Sequence, residues 1–420
     1  MTGSRLMLNV TAVILAVAAL GGQTQERQAV DQARRVLDLL RAERFEEVAK
    51  EFNAQMSAAL PASQLRDVWA NLRQQVGVFA SILDERVTTP AAGVTAVILG
   101  SQFEKAALNV IVAFDAENKI AGLRMVPRPA AGPEPPPAFS RFKEEPVTVG
   151  TGEWALPGTL SLPTGRIVAG VVLVHGSGPN DRDETIGPNK PFRDIAWGLA
   201  DRGVAVLRYE KRTRQHGARL ASATKSFTVR EETVEDAVLA ATLLRTRKDI
   251  DPKRIFVLGH SLGGTLAPRI AVEDGALGGI IILAGATRPL QDVAREQFVY
   301  LSSLTPGALN PEEGLQALLK RAPESYWKDL DAYKPAQVAG TLRIPMLILH
   351  GERDYQVALA DLDGWRSALA GRSNVTIKSY PSLNHLFMVG EGKATPAEYE
   401  RPGKVAEFVL DDIVDWIGKS

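Results

Sequence analysis

The sequence predicts an α/β fold, with a mostly parallel sheet covered by helices on both faces, preceded by a small α+β domain. Three observations predict this architecture. From residue 145 to residue 420, short apolar runs alternate with amphipathic helical patterns, which is typical of parallel strands joined by helices. Residues 25–126 show helical patterns first and period-two alternation afterwards, which is typical of an α+β domain. The proline-rich stretch between the two predicts an extended linker over residues 127–140.

The composition narrows the possible functions. The chain has 49 Lys and Arg against 49 Asp and Glu, so its zero formal net charge gives no support to a nucleic-acid partner. It contains no cysteine, which excludes disulfides, thiolate metal sites and a cysteine nucleophile. Its five histidines do not follow the spacings of common zinc motifs, so no metal site is expected.

The first residues predict a targeting signal. Arg5 provides a positive start, Leu6 to Leu20 form a largely apolar run, and small residues follow near Gly21. The run of about 15 residues is shorter than the roughly 20 residues that a transmembrane helix needs. We therefore expect a cleaved signal peptide over residues 1–22, export to a periplasm or to the medium, and no stable membrane span afterwards. A permanent N-terminal anchor is the alternative.

The small domain at residues 25–126 begins with two amphipathic stripes at helical spacing, formed by Ala33, Val36, Leu37 and Leu40, and by Leu65, Val68, Trp69, Leu72 and Val76. Strands are predicted from Val94 to Leu99, across the alternating residues 108–114, and in a last strand that ends near Val126. Trp69 and Phe79 could line a pocket, but helical core spacing favours the core. The domain shows no nucleophile and no ligand cluster.

The second domain, residues 145–420, begins with a predicted hairpin over residues 146–163. Strands are predicted at Ile167–Val174, Val204–Tyr209, Ile255–Leu258, Gly279–Ala284, Met346–His350 and Val375–Tyr380, and two of them, Ile167–Val174 and Gly279–Ala284, are expected to be buried. Helices are predicted at Phe192–Arg202, Val229–Thr246, Val357–Ala370 and Lys404–Ile417. Residues 288–342 interrupt this rhythm with helical pieces only, at Asp292–Leu301, Pro311–Leu319 and Ser325–Asp331. We expect them to form a cap insertion over the mouth of the active site.

A Gly-x-Ser-x-Gly motif lies between a predicted strand and a predicted helix. Ser261 stands at its centre, with Gly259 and Gly263 on either side. The strand before and the helix after are the context of a nucleophile elbow, in which a strained turn presents the serine hydroxyl above the edge of a sheet. Ser261 is therefore the candidate nucleophile.

Chain order selects the partners of Ser261. A serine nucleophile needs a base, and the base needs an acid to fix its tautomer; in such folds the order is serine, acid, histidine. Asp354 follows a predicted strand after the elbow, and His385 is the only histidine beyond Asp354. Asp354 is the candidate acid and His385 the candidate base, with Glu352 and Asp361 as competitors for the acid.

An oxyanion hole needs two backbone donors. The N–H of Leu262 follows the nucleophile and starts a helix, so it is the first candidate. The second should come from the loop after the strand Ile167–Val174, where we assign the N–H of Ser177, with Gly176 as the rival. The side chain of His175 is interpreted as structural.

From about Ser161 to its end, the chain resembles the α/β-hydrolase superfamily, and within it secreted bacterial serine esterases related to serine aminopeptidase-like hydrolases. The residues that carry the resemblance are 175–182, 208–212, 259–264, 351–354 and 384–385. The first domain resembles a small domain of unknown function fused ahead of such hydrolases. The related loops usually have an aspartate and a glycine where this chain has Glu210 and Thr213. The resemblance implies an α/β-hydrolase fold and a serine esterase.

The expected function is hydrolysis of a small-molecule carboxylic ester, without a cofactor. An exopeptidase with the same three residues is one alternative, and a binding protein on a hydrolase scaffold is another. The arginine-rich loop Arg208–Arg219 could recognise a substrate carboxylate, but a solvated loop held by acids is favoured. The sequence does not indicate acyl-chain preference or oligomeric state.

Overall fold

The computed structural model describes residues 27–420, except residues 92, 129–135, 218, 221–226 and 305–309. The predicted signal peptide at residues 1–22 and residues 129–135 of the predicted linker lie outside the described residues. The chain divides into two compact units, Met1–Glu134 and Pro135–Ser420. In the described part of the chain, no helix combines the length and the apolar character needed to cross a membrane.

The first unit places helices ahead of an antiparallel sheet. The helices are residues 27–41 (α1), Phe45–Lys50 (α2), Ala54–Ala59 (α3) and Ala62–Val76 (α4). The strands are Phe79–Ala91 (β1), Val94–Phe103 (β2), Ala107–Phe114 (β3) and Ile120–Pro127 (β4), in the spatial order β1-β2-β3-β4. The turn between β3 and β4 is fixed by Asp115, whose carboxylate accepts the N–H groups of Glu117 and Lys119.

Both predicted helical stripes and the alternating strand residues supply the core of this unit, with one exception. Trp69 is buried and packs edge-on against Phe103, with ring centroids 6.4 Å apart. Phe79 is partly buried against the same ring. Val68 is 51% exposed, so its assignment to the buried stripe is wrong. It lies at the margin of the apolar face of α4, where one step of the helix turns a side chain to solvent.

In this sheet, strand β1 is absent from the sequence expectation, and β2 extends to Phe103 rather than to Leu99. The sequence pattern does not predict β1, because Asp84, Glu85 and Arg86 and its register shifts against β2 break the period-two alternation. Strand β4 ends at Pro127, which pairs with Leu108, in agreement with the predicted end near Val126. Proline is tolerated there because a strand end does not need its missing N–H.

The second unit contains an eight-stranded sheet of spatial order β12-β11-β10-β9-β7-β8-β6-β5. Its strands are Phe142–Val149 (β5), Leu156–Pro163 (β6), Ala169–Val174 (β7), Val204–Tyr209 (β8), Ile255–His260 (β9), Gly279–Leu283 (β10), Met346–Gly351 (β11) and Val375–Tyr380 (β12). Strands β7 to β12 pair in parallel, whereas β5 and β6 form an antiparallel hairpin whose β6 pairs with β8. Strands β7 to β11 are buried throughout, as expected for strands covered on both faces.

Helices cover both faces of this sheet. They are Pro191–Asp201 (α5), Arg212–Gln215 (α6), Glu235–Arg245 (α7), Leu262–Asp274 (α8), Leu290–Leu304 (α9), Pro311–Leu319 (α10), Glu324–Ala332 (α11), Pro335–Thr341 (α12), Leu359–Ala368 (α13), Pro396–Tyr399 (α14) and Glu407–Lys419 (α15). One apolar core includes side chains of α7, α8 and α13, and the other includes side chains of α5 and α15. The helix predicted over Val229–Thr246 begins with a π-helical turn, Arg230–Val234, before α7.

The insertion at residues 288–342 contains helices α9 to α12. The sequence pattern does not predict α12, which is short and contains Gly340. Helix α11 places Tyr326, Trp327 and Leu330 in the core beside α7 and α8. On α9, the ring of Tyr300 packs against Tyr355, with ring centroids 5.3 Å apart. The insertion therefore shares the core beside α7 and α8 and contacts Tyr355, the residue that follows Asp354. Its role as a cap over the active site stays a prediction.

Candidate active site

The parallel strands bring the candidate residues to one edge of the sheet. Ser261 follows β9, Asp354 follows β11 and His385 lies beyond β12, while Ser177 lies in the loop after β7. Because the carboxyl ends of parallel strands meet at the same edge, residues from four separate segments converge there. Strand β8 lies on one side of β7 and the next strand in the chain, β9, lies on the other side. The order in which strands are added therefore changes direction at β7, and ligand sites of α/β sheets usually lie at such a point.

Ser261 is held in a conformation that few residues other than glycine adopt. Its φ is 53° and its ψ is −116°. The N–H of Ser261 donates to the carbonyl of Leu283 at 2.9 Å, and its own carbonyl accepts from the N–H of Thr265 at 2.9 Å. The turn is thus fixed on both sides by backbone hydrogen bonds. This is the geometry of the predicted nucleophile elbow.

The glycines of the motif are required by close backbone approach. A Cβ at Gly259 would overlap the carbonyl group of Gly263, and a Cβ at Gly263 would overlap the carbonyl of Val174. Strand β9, helix α8 and strand β7 can therefore pack closely around Ser261 only if both positions lack side chains.

The strain at Ser261 predicts a measurable difference in stability between two variants that lack its hydroxyl. Ser261→Gly should be more stable than Ser261→Ala by about 1 kcal/mol, because glycine adopts a positive φ freely while alanine keeps the steric cost. Thermal and urea unfolding of both variants would measure this difference. If alanine matches or exceeds glycine in stability, the turn carries no strain.

Asp354 and His385 form a buried pair. The Nδ1 atom of His385 lies 2.6 Å from Oδ2 of Asp354, and the two residues are 3% and 5% exposed. The other oxygen, Oδ1, accepts the N–H groups of Gln356 at 2.7 Å and Val357 at 3.0 Å. Burial alone would raise the pKa of Asp354, but the charge and hydrogen bond of His385 outweigh it and lower that pKa. Asp354 is therefore an ionised acceptor that fixes the proton of His385 on Nδ1.

The two competing acids are engaged elsewhere. Glu352 accepts a hydrogen bond from the hydroxyl of Ser379 at 2.7 Å. Asp361 accepts the N–H groups of Thr287 and Arg288, and it also pairs with the guanidinium of Arg288. The structure thus brings Asp354, and neither competitor, to the ring of His385.

The geometry around β7 separates the two candidate oxyanion donors. The N–H of Gly176 donates to Oε1 of Glu184 at 2.6 Å. Among the hydrogen bonds of the described residues, none uses the N–H of Ser177 or the N–H of Leu262. The N–H of Leu262 also lies at the start of α8, where the helix dipole favours negative charge. Both assigned donors are thus available to a ligand, whereas the rival at Gly176 is occupied.

His175 lies in the core, as its structural interpretation requires. It is 1% exposed, and its ring packs against the rings of Phe192 and Tyr209 at centroid distances of 5.0 and 5.4 Å. Burial lowers its pKa to about 4, so the ring is neutral near pH 7.

Sequence reasoning missed two residues beside the site, Glu184 and His260. Glu184 is 2% exposed and His260 is 5% exposed, and Nδ1 of His260 lies 2.9 Å from Oε2 of Glu184. The sequence offered one signal, since Glu184 is an acid that follows His175 by nine residues. Nothing in the sequence paired it with His260, which lies 76 residues further on.

The arginine-rich loop differs from both sequence interpretations, because much of it is buried. Arg208 is 1% exposed and pairs with Glu144 and Asp183, each at 2.8–2.9 Å. Arg212 is 8% exposed and pairs with Asp236 at 2.5 Å. Acids do hold the loop, as expected, but the expectation of a solvated loop is wrong at these positions. The partners of Arg208 come from distant segments, which the local run of charge does not reveal.

The described residues include no group of three or more His, Cys, Asp or Glu side chains arranged to hold a metal ion.

Two comparisons with known proteins place the chain in a family. The model of the prolyl oligopeptidase family matches residues 192–409, which is about half of the chain. Esterase EstD of Thermotoga maritima is 40% identical over 397 residues, which cover 90% of this chain and 93% of that protein. The chain belongs to the prolyl oligopeptidase family of α/β-hydrolases. The predictions of an α/β-hydrolase fold and of a carboxylic ester hydrolase are thereby confirmed.

The first unit matches a family of its own. Residues 33–123 match a protein family of unknown function, DUF3887, in line with the predicted resemblance.

Solved structures give weaker similarities. An esterase of Pyrococcus furiosus is 16% identical, with a TM-score of 0.47 over 71% of this chain and 98% of that one. A puromycin-hydrolysing peptidase of Mycobacterium tuberculosis has the same identity and TM-score, over 82% of this chain but only 47% of that one. Neither similarity bears on the function.

Proposed function

We propose that this chain is an exported serine hydrolase that cleaves carboxylic esters through an acyl-enzyme intermediate on Ser261. The observation that carries the proposal is the buried 2.6 Å contact between His385 and Asp354, at the sheet edge where Ser261 occupies its strained turn. A histidine held by an ionised carboxylate beside a presented hydroxyl is the arrangement that activates a serine.

Acylation follows from the roles of these groups. Oγ of Ser261 attacks the ester carbonyl carbon, and Nε2 of His385 accepts the hydroxyl proton because Nδ1 holds its own proton against Asp354. The negative oxygen of the tetrahedral intermediate accepts hydrogen bonds from the N–H groups of Leu262 and Ser177. When the intermediate collapses, the ester C–O bond breaks and the alcohol leaves with the proton from His385.

Deacylation uses the same groups with water. His385 removes a proton from water, the hydroxide attacks the acyl carbon, and the same two N–H groups stabilise the second intermediate. Its collapse releases the carboxylic acid and returns the proton to Oγ of Ser261. The cycle consumes one ester and one water, and these side chains carry it without a cofactor.

An exopeptidase is the second candidate, because the family model is that of prolyl oligopeptidases. A peptidase that trims chain ends needs a charged group to bind a peptide terminus. The arginine-rich loop Arg208–Arg219 was the sequence candidate for binding a terminal carboxylate, and two of its arginines, Arg208 and Arg212, are buried and paired with acids. The relationship to Esterase EstD favours an ester substrate.

Substrate assays distinguish the candidates. Purified protein and Ser261→Ala would be compared on p-nitrophenyl acetate, butyrate and decanoate, and on alanyl and prolyl p-nitroanilides. The proposal expects Ser261-dependent ester turnover that exceeds anilide turnover by at least about 100-fold in kcat/KM. Anilide turnover equal to or above ester turnover would assign a peptidase. Equal rates for the two proteins on every substrate would favour a binding protein.

Export is proposed on the apolar run from Leu6 to Leu20 and the small residues that follow it. In a bacterial host with a periplasm, the protein should appear in that compartment with a mass that lacks the first 20 to 23 residues, roughly as the cleavage rule expects. A full-length mass in the membrane fraction would indicate an anchor instead.

A further inference from the structure

A buried carboxylate, that of Glu184, connects the loop after β7 to the nucleophile elbow. Its Oε1 accepts the N–H of Gly176 at 2.6 Å, and its Oε2 lies 2.9 Å from Nδ1 of His260. The side chain of Glu184 is 2% exposed. A single side chain thereby touches the loop that carries one proposed oxyanion donor and the residue directly before Ser261.

His260 extends this connection to the base. Its Nε2 lies 2.9 Å from the backbone carbonyl of His385, and the two imidazole rings are 4.6 Å apart between centroids. A carbonyl oxygen can only accept, so Nε2 of His260 carries a proton. The hydrogen bonds therefore run without a break from Gly176 through Glu184 and His260 to the backbone of His385.

Charge reinforces this chain of contacts. Burial alone would lower the pKa of His260 and raise the pKa of Glu184. The attraction and hydrogen bond between them outweigh burial, so the pKa of His260 is raised and that of Glu184 is lowered. The pair is therefore ionic, with both ring nitrogens of His260 and both oxygens of Glu184 engaged, as a buried ion pair requires.

Local backbone geometry shows that this arrangement is imposed. Glu184 has a φ of 50°, and its turn is held by Asp181, whose Oδ1 accepts the N–H of Thr185 at 2.9 Å. A Cβ at Gly176 would lie 3.1 Å from Oε1 of Glu184 and 3.2 Å from Cβ of Ser261. The loop after β7 thus packs directly between the carboxylate of Glu184 and the nucleophile residue.

We propose that Glu184 and His260 are positioning residues that set the distance between the oxyanion loop, Ser261 and His385. This inference rests on the proposed function. Neither residue touches the substrate or transfers a proton; they hold three segments, which come from three different strand ends, in register. A misplacement of about 1 Å among such groups lowers turnover by about 100-fold, mainly through kcat.

Two substitutions at Glu184 separate hydrogen bonding from general packing. In Glu184→Gln, the amide oxygen can accept from Gly176 while the amide NH₂ donates to Nδ1 of His260, so every hydrogen bond survives without the charge. Its kcat should stay within about tenfold of wild type. Glu184→Leu removes both bonds, and its kcat should fall by about 100-fold with KM within about threefold.

Glu144 provides the matched control, since it is a partly buried carboxylate of the same unit, with a side chain that is 9% exposed. It bonds to Ser161, Trp197 and Arg208 on the antiparallel side of the sheet. Glu144→Leu should lower the melting temperature yet leave the kcat of the folded enzyme within about threefold of wild type. A merely structural role for Glu184 would make Glu184→Leu behave in the same way.

The experiment measures kcat, KM and melting temperature for all variants, at a temperature where each is folded. Wild type and Ser261→Ala are compared first, so that a failure of the proposed function is seen before any Glu184 variant is judged. The proposal is overturned if Glu184→Leu keeps the wild-type kcat, or if Glu184→Gln loses as much kcat as Glu184→Leu. If Glu184→Leu does not fold, His260→Phe replaces it. Phenylalanine keeps an aromatic ring at this position but removes the hydrogen bonds of His260 to Glu184 and to the backbone carbonyl of His385. The same fall in kcat is expected.

Discussion

Ser261→Ala should lower kcat for ester hydrolysis by about 10⁵-fold, the largest effect expected of any single substitution in this chain. The oxygen of the Ser261 hydroxyl is the atom to which the acyl group would be transferred. The loss should not reach the uncatalysed rate. The backbone N–H groups of Leu262 and Ser177 remain in place, and such donors alone retain about 10³-fold catalysis over water.

The measurement must separate chemistry from folding. Ester turnover and melting temperature of Ser261→Ala would be compared with those of Ser379→Ala, which removes a serine hydroxyl from edge strand β12, where it donates to Glu352. Ser379→Ala should retain the wild-type kcat. Stoichiometric labelling by a fluorophosphonate should occur in wild type and in Ser379→Ala only. Persistent turnover by Ser261→Ala, or labelling at another residue, would remove Ser261 from the mechanism.

The elements that could be predicted from the sequence are those with a strong local signal. Strands β8 and β12 begin and end at the predicted residues, Val204–Tyr209 and Val375–Tyr380. In β8 the signal is the apolar run from Val204 to Leu207, and in β12 it is the alternation of exposed Thr376 and Lys378 with less exposed neighbours. Ser261 was identifiable because its glycines are needed for close backbone approach, a requirement that the sequence displays directly.

The parts that escaped prediction depend on residues far apart in the chain. Arg208 looked solvated because its neighbours are charged, yet its partners Glu144 and Asp183 lie 64 and 25 residues away. Glu184 is likewise meaningful only beside His260, 76 residues away. A charge pattern read along one segment cannot show which distant carboxylate reaches it, because register and loop packing decide that contact. Strand β1 escaped for a different reason, since its polar outward side and shifted register hide the alternation.

Asp354→Asn should lower kcat by about 10⁴-fold, although it changes no more than one oxygen into an NH₂ group. The reason lies in the second oxygen of Asp354. Oδ1 accepts two backbone N–H groups, from Gln356 at 2.7 Å and Val357 at 3.0 Å. An asparagine at this position must turn its carbonyl oxygen toward those donors, because its NH₂ group cannot accept from them.

The NH₂ group of the asparagine would then face Nδ1 of His385, 2.6 Å from the present oxygen position. Nδ1 would have to accept, so the ring would carry its proton on Nε2, the nitrogen that should take the proton of Ser261. The base would thus be present, folded and in the wrong tautomer. KM should change little, since Asp354 has no proposed contact with the substrate.

Asp361→Asn is the matched control. Asp361 is also a buried carboxylate that accepts two backbone N–H groups, but Asp354, and not Asp361, is the carboxylate bonded to the ring of His385. It should lose stability through its broken ion pair with Arg288 and keep a kcat within about threefold of wild type. Steady-state kinetics on one p-nitrophenyl ester, with melting temperatures for both variants, would measure the contrast. If the two variants lose equal kcat, or if Asp354→Asn retains more than about one tenth of wild-type kcat, the tautomer of His385 is not set by Asp354 and the proposed acid is wrong. A large loss confined to Asp354→Asn would support this mechanism. The two backbone N–H groups orient the amide of the asparagine, and that orientation decides which nitrogen of His385 has a free electron pair.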